Sequence, residues 1–215
     1  MKSFFEPLLL FWVLFLRFYS IPPMSGESEA FSAFALITRI VFYSIPSLLL
    51  VWYFLLKTKS LGEWGITLPK KKDLVAAALS FPALLLIGLT ISLVSAFVRG
   101  EPATTVFSLP NSVLTWVLLV ISFLTSAYLE ESYFRFYLLS KRTEMGLGPH
   151  GAVLFSSLLF ALCHTYDGPW GFLNAALSGV VLAFIFLRFQ SLHGISFAHA
   201  LYNIVAYSLA AIPAA

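Results

Sequence analysis

The chain has 215 residues, of which 60% are hydrophobic and 17% aromatic but only 11% charged, whereas an ordinary soluble domain is about 45–50% apolar and about 25% charged. This excludes a soluble globular domain and implies an integral membrane protein; at about 20 residues per crossing the length admits a single domain, residues 1–215, of six or seven helices with short connections. The net charge of +3 rests on basic residues beside hydrophobic runs, where they mark topology and not a nucleic-acid partner, and one cysteine, Cys163, excludes an internal disulfide and a multi-cysteine metal site.

The first apolar run, Phe4 to Tyr19, follows Lys2 and ends in Ser20-Ile-Pro-Pro without a small-residue cleavage signal, so it reads as a retained, short helix. A polar turn, Met24 to Glu29, precedes a second helix from about Phe31 to Leu56, with Arg39 near its beginning, where its stem can snorkel, and Lys57 and Lys59 at its end. Ser60 to Lys72 is too polar for lipid and reads as an interfacial loop ending in a Lys cluster. The third helix, Leu74 to Val98, is uncharged, and Pro82 within it is a candidate kink. Its exit, Arg99 to Asn111, is broken at Gly100, Pro102 and Pro110. A fourth helix begins near Ser112 and ends at Lys141-Arg142. A short fifth, Gly151 to His164, a sixth, Trp170 to Leu187, and a seventh, Ile195 to about Ile212, complete an all-α polytopic membrane protein of about seven transmembrane helices.

Alternating sides through seven crossings puts nine basic residues, Lys2, Lys57, Lys59, Lys70, Lys71, Lys72, Lys141, Arg142 and Arg188, on one face and three, Arg17, Arg39 and Arg99, on the other. The positive-inside rule then places the C-terminus outside and the N-terminus in the cytoplasm if the first run crosses; if it does not, the inside face of the later helices is unchanged and the N-terminus lies outside.

The fourth helix carries an anomaly. Its run Val113 to Leu129 is uncharged, yet Tyr128-Leu-Glu-Glu-Ser-Tyr-Phe-Arg-Phe136 follows within the same span. Each charge costs about 2.5 to 3.5 kcal/mol at the centre of a membrane helix, so three unpaired ones would cost roughly 8 to 10 kcal/mol, as much as the net stability of a domain. Glu131 and Arg135 are four apart with the acid first, the favourable order for an ion pair. Glu130 lies about 100° around the helix, so it is the carboxylate left free to face a cavity. Phe160 and His164 repeat the four-residue spacing on the fifth helix, as do His199 and Asn203 on the seventh. At about 1.5 Å per residue, Glu130 lies about 15 Å from Ser140, Asn203 about 12 Å from Ile195 and His164 about 20 Å from Gly151. Antiparallel packing can therefore gather Glu130, His164, His199 and Asn203 at one depth, around a polar cavity opening toward the inner side.

Glu130-Glu131-x-x-x-Arg135, Phe160-x-x-x-His164 and His199-x-x-x-Asn203 resemble, in order and separation, the three motifs of the CPBP intramembrane proteases, which include type II CAAX prenyl endopeptidases and bacteriocin-processing or self-immunity relatives. The resemblance covers Ser112 to Ile212; the helices before it match only in being hydrophobic. It implies an intramembrane endopeptidase acting on membrane-associated proteins or peptides, prenylated CAAX-type substrates among them. Glu130 and His164 would activate a water, and His199 and Asn203 would polarise the scissile carbonyl and stabilise its oxyanion. Glu131, Arg135 and Phe160 would support that arrangement, with no cofactor required. A second reading makes Glu130, His164 and His199 ligands of zinc, although no HExxH pair is present. Two other classes use the same residues: a proton-coupled transporter with a Glu130, His164 and His199 relay, and a non-catalytic immunity or scaffolding protein. The expected partners are the bilayer and a membrane-associated substrate.

Overall fold

A computed structural model describes residues 3–15, 32–60, 62–64, 67–100 and 110–210. Among these, the chain forms seven helices and no strand: α1 (Phe5–Phe15), α2 (Ala33–Leu56), α3 (Lys71–Arg99), α4 (Val113–Ser140), α5 (Pro149–Leu162), α6 (Gly168–Phe189) and α7 (Leu192–Ala210). Four of them, α2, α3, α4 and α6 with the turn before it, are long and apolar enough to cross a membrane; α1 and α5 are shorter apolar helices. The end of the first run beyond Phe15, the turn Met24 to Glu29, most of the exit after Gly100 and the stretch beyond Ala210 lie outside the described residues.

Several bounds differ from the sequence reading for local reasons. The third helix starts three residues early, at Lys71, because Asp73 accepts a hydrogen bond from the Lys70 backbone N–H at 2.6 Å and completes the first turn. Pro82 sits inside α3 without ending it. The seventh helix also starts three residues early, at Leu192, so His193 is helical. The fifth ends at Leu162, and His164 stands in the turn beyond it.

The helix α4 is the hub. Every residue from Glu131 to Leu139 is buried, so this stretch has no lipid-facing side. α2 lies along it, α7 sits between α3 and α4, and α6 packs against both α3 and α5. Over Ser132–Tyr137 the helix loosens to π geometry, the Leu138 N–H reaching back five residues to Tyr133 O. Such a turn displaces backbone groups from their usual partners, and the Ser156 hydroxyl on α5 donates to the Phe134 carbonyl. The same helix recruits α1. Tyr133 donates to Pro7 O and Tyr137 to the Glu6 carboxylate, both at 2.6 Å, while Phe11 and Phe15 pack against Tyr133 and Phe134. Below them Lys141 meets Glu144 at 3.0 Å and Glu6 at 3.5 Å. Partial burial works against its ammonium, but these two carboxylates outweigh that and raise it above the ordinary lysine value. At 11 residues α1 is about 16 Å long, about half the hydrocarbon thickness, so this side-on attachment holds it without needing a full crossing of the described part.

The start of α7 meets the start of α3 through polar contacts. Ser191 donates to Asp73, Lys72 to Gln190 O at 2.8 Å, and the Gly194 N–H to Ser191 Oγ at 3.1 Å. A Cβ on Gly194 would strike the Asp73 carbonyl oxygen and lie 2.8 Å from Ala76 Cβ, so only glycine allows this approach. Gly194→Ala is therefore expected to destabilise by about 1–3 kcal/mol through overpacking, read as a lowered Tm in detergent. Gly151→Ala, whose added carbon meets only Leu147 at 3.7 Å, should leave Tm unchanged.

Candidate active site

Glu131 sits in the interior of α4 with no exposed side-chain surface, and Arg135, one turn further on, is equally enclosed. Arg135 Nη1 donates to Glu131 Oε1 at 3.1 Å. The guanidinium also lies over the Phe160 ring, 4.3 Å from its centroid, a cation–π contact that a desolvated site strengthens. The ion pair expected from the four-residue spacing is present, and it is not the whole environment of Glu131. His199 Nδ1 donates to the same Oε1 at 2.8 Å across 68 residues of chain. Glu131 thus ties α4 to α7 as well as to its own helix.

On the other side of that imidazole, His199 Nε2 lies 3.7 Å from Glu130 Oε2. The Glu130 side chain keeps 21% of its surface exposed where Glu131 keeps none, so the two adjacent acids divide as the helical angle between them requires. Phe160 holds the remaining groups together. Its ring is 5.8 Å from that of His199 and 4.6 Å from that of His164. His164 Nδ1 is 2.9 Å from the Phe160 carbonyl. A carbonyl only accepts, so Nδ1 carries a proton and Nε2 is the ring nitrogen turned away from this contact.

The structure therefore brings Glu130 and Glu131 against His199, and ties His199 and His164 through Phe160. Asn203, one turn beyond His199 on α7, is half-buried and makes no side-chain hydrogen bond among the described residues. Its neighbour Tyr202 instead accepts from Asn174 on α6 at 3.2 Å. Nothing local in the sequence announces the Glu131–His199 contact, because a partner on another helix leaves no spacing signal. Tyr128 and His193 also form a pair that no spacing signals: their side chains meet at 2.8 Å and His193 Nε2 donates to Thr67 O at 3.0 Å, joining α4, α7 and the residue Thr67 before α3. A cleft of about 420 Å³ opens at the Lys-rich end, lined by Trp64, Tyr137, Lys59 and Lys141 among others. None of Glu130, His164, His199 or Asn203 lines it.

Among the described residues no three His, Cys, Asp or Glu side chains converge as a metal-ligand set. Glu130, His164 and His199 are not gathered as such a set.

These features define an all-α polytopic membrane protein whose central helix carries an enclosed carboxylate pair against an imidazole. Residues 112–205 match the family model described as Type II CAAX prenyl endopeptidase Rce1-like. The match supports the CPBP resemblance over the segment that holds all three motifs. No curated protein and no solved structure matched the chain.

Removing the Arg135 guanidinium leaves the Glu131 carboxylate buried without its cation. Breaking a buried pair in this way typically costs about 3–5 kcal/mol. Arg135→Ala should accordingly show a large drop in Tm, and Arg135→Lys only partial recovery, since lysine keeps the charge but not the guanidinium contact with Phe160. A wild-type melting curve for Arg135→Ala would contradict the pairing.

Proposed function

We propose that the protein is an intramembrane endopeptidase that hydrolyses peptide bonds of membrane-associated proteins or peptides, prenylated CAAX-type chains included, by a glutamate-activated water. The observation that carries this reading is the His199 imidazole held between Glu131 at 2.8 Å and Glu130 at 3.7 Å, inside the family-matched segment.

Glu130, the more exposed acid, accepts a proton from water as the oxygen adds to the scissile carbonyl carbon. His164, whose Nδ1 is turned to the Phe160 carbonyl, shares that proton through Nε2. The negative charge developing on the carbonyl oxygen is met by His199 Nε2 and the Asn203 amide, the kind of electrostatic stabilisation that is commonly the largest catalytic contribution. With Nδ1–H donated to Glu131, Nε2 serves as a donor only when it too carries a proton. Collapse of the tetrahedral intermediate breaks the C–N bond, and the proton held by Glu130 and His164 passes to the leaving amine. Glu131 touches no reacting atom in this scheme. It is a positioning residue that fixes the His199 ring, as carboxylates do for metal-bound and triad histidines.

The proposed topology puts the Lys-rich end of α4 in the cytoplasm, and the N-terminus there too if the first apolar run completes a crossing. Cysteine-accessibility labelling of Lys59 and Lys141 positions in sealed cells tests it.

Glu130→Ala, His164→Ala and His199→Ala should each abolish cleavage while the protein still inserts and melts cooperatively. Wild-type activity in any one removes that residue from the scheme. Glu131→Gln keeps an acceptor for His199 and loses the charge, so kcat should fall about 10–100-fold with KM unchanged; an equal rise in KM would assign it to substrate binding. Stringent chelation should leave the rate intact, whereas loss restored by zinc would replace the glutamate mechanism with a metal one.

A further inference from the structure

The tyrosines packed around α4 and α7 spend their hydroxyls on the fold. Tyr43 donates to Leu14 O, Tyr133 to Pro7 O and Tyr137 to Glu6, while Tyr128 meets His193 and Tyr202 accepts from Asn174. Tyr166, two residues after His164, differs. Among the described residues its hydroxyl has no hydrogen-bond partner.

Its place is set by the short turn between α5 and α6. That turn, Thr165–Asp167, is closed by the Asp167 N–H on His164 O at 3.1 Å and enters α6 at Gly168, where φ is 73°. A Cβ on Gly171 would strike Asp167 Cβ and lie 3.4 Å from His164 O, so the turn packs directly on the first turns of α6. The Tyr166 ring is thereby held beside that of His164, the centroids 6.1 Å apart and the planes 26° from parallel. Tyr166 is 71% exposed, yet protein surrounds it closely enough to desolvate its hydroxyl and bring it within electrostatic reach of Glu130. A side chain that is both open and closely surrounded stands in a hollow, not on a convex face. Glu130, with 21% of its side-chain surface exposed, is the partly open acid of α4 within that reach.

The proposed hydrolysis is short of a donor. With Nδ1–H given to Glu131, His199 donates from Nε2 only after taking a second proton, which leaves the Asn203 amide as the neutral donor for the carbonyl oxygen. A phenol keeps its proton at neutral pH and donates without any prior transfer. We infer that Tyr166 is a further catalytic residue, its hydroxyl donating a hydrogen bond to the scissile carbonyl oxygen as negative charge develops there. The inference rests on the peptidase reading above. No proton leaves the phenol, so the bonds made and broken are those of that scheme, with one more fixed dipole aimed at the oxyanion.

The probe is a fluorogenic peptide carrying a prenylated cysteine, assayed on the full chain in an uncharged maltoside detergent. Tyr166→Phe keeps the ring beside His164 and removes one oxygen from an exposed side chain, so Tm should stay at the wild-type value. Its kcat should fall about 100-fold with KM unchanged, the loss typical of deleting one oxyanion donor. The same peptide with a phosphinate at the bond that the wild type cuts mimics the tetrahedral, charged state, and its binding should weaken by about the same factor. Tyr53→Phe, on an exposed tyrosine of α2, is the control for a ring that merely lies at the membrane surface and should leave both readings unchanged. A wild-type kcat in Tyr166→Phe overturns the assignment and leaves the peptidase reading standing. So does a rise in KM at constant kcat, or a fall in kcat with undiminished phosphinate binding. Absence of Glu130-dependent cleavage by the wild type removes the peptidase reading, and the role of Tyr166 with it.

Discussion

A carboxylate and a guanidinium with no exposed surface, Glu131 and Arg135, stand one turn apart in a helix that begins as an uninterrupted apolar run. Either alone would be intolerable in that setting, and even together they require hydrogen-bonding and aromatic contacts to offset desolvation. The fold around α4 can be understood as the means of supplying those contacts. Phe160 is brought from α5 to cover the guanidinium, and His199 from α7 to share the Glu131 oxygen. The elements that satisfy the charge pair are the elements that carry the family motifs. Stability of the buried pair and assembly of the site are thus one constraint, which is why Arg135, remote from any substrate in the proposed reaction, sits in the motif.

The same economy explains the two loosened stretches. The π turns Arg39–Ser44 and Ser132–Tyr137 lie on adjacent helices, and each carries an arginine. A wider turn alters which residues share a face, and it leaves carbonyls that need outside donors. Ser156 meets one of them at Phe134. The remaining faces of the hub are closed by rings: Tyr133 and Tyr137 each carry α1 on a hydroxyl, and Phe136 meets Trp52, Trp64 and Phe186. Aromatic bulk near the motif helix therefore serves packing.

Much of this was legible in the sequence because a membrane restricts what a chain can do. Apolar runs of the right length, bounded by lysines, Gly and Pro, marked every helix, and the intrahelical pair of Glu131 and Arg135 followed from spacing alone. The helix starts were misread where a cap replaced hydrophobicity as the signal: Asp73 begins α3 within what looked like a lysine-rich loop. His164 was read as helical because Phe160 lies four residues before it, but the helix stops at Leu162 and the two rings still meet. What could not be read were contacts between helices. The sequence accounts for Glu131 with Arg135 and gives no reason to look for a second partner 68 residues away. The parallel register of α2 and α4 is equally silent, since it is set by Leu36, Ser44 and Trp52 meeting their partners in space.

The adjacency of Glu130 and Glu131 now has a physical reason. A single acid could not both hold an imidazole rigidly and exchange a proton with a substrate water, because the first task demands full enclosure and the second demands access. Two consecutive residues on a helix differ by about 100° in direction, enough for one to be enclosed beside Arg135 and the other to keep a fifth of its surface open. His199 lies between them, contacted at Nδ1 by the enclosed acid and approached at Nε2 by the open one. Moving either glutamate by one position along α4 would break that bracket, since the side chain would turn away from α7. In the proposed reaction this gives the histidine a fixed orientation from one side and its chemical neighbour from the other, with the helical repeat of α4 setting the angle between the two.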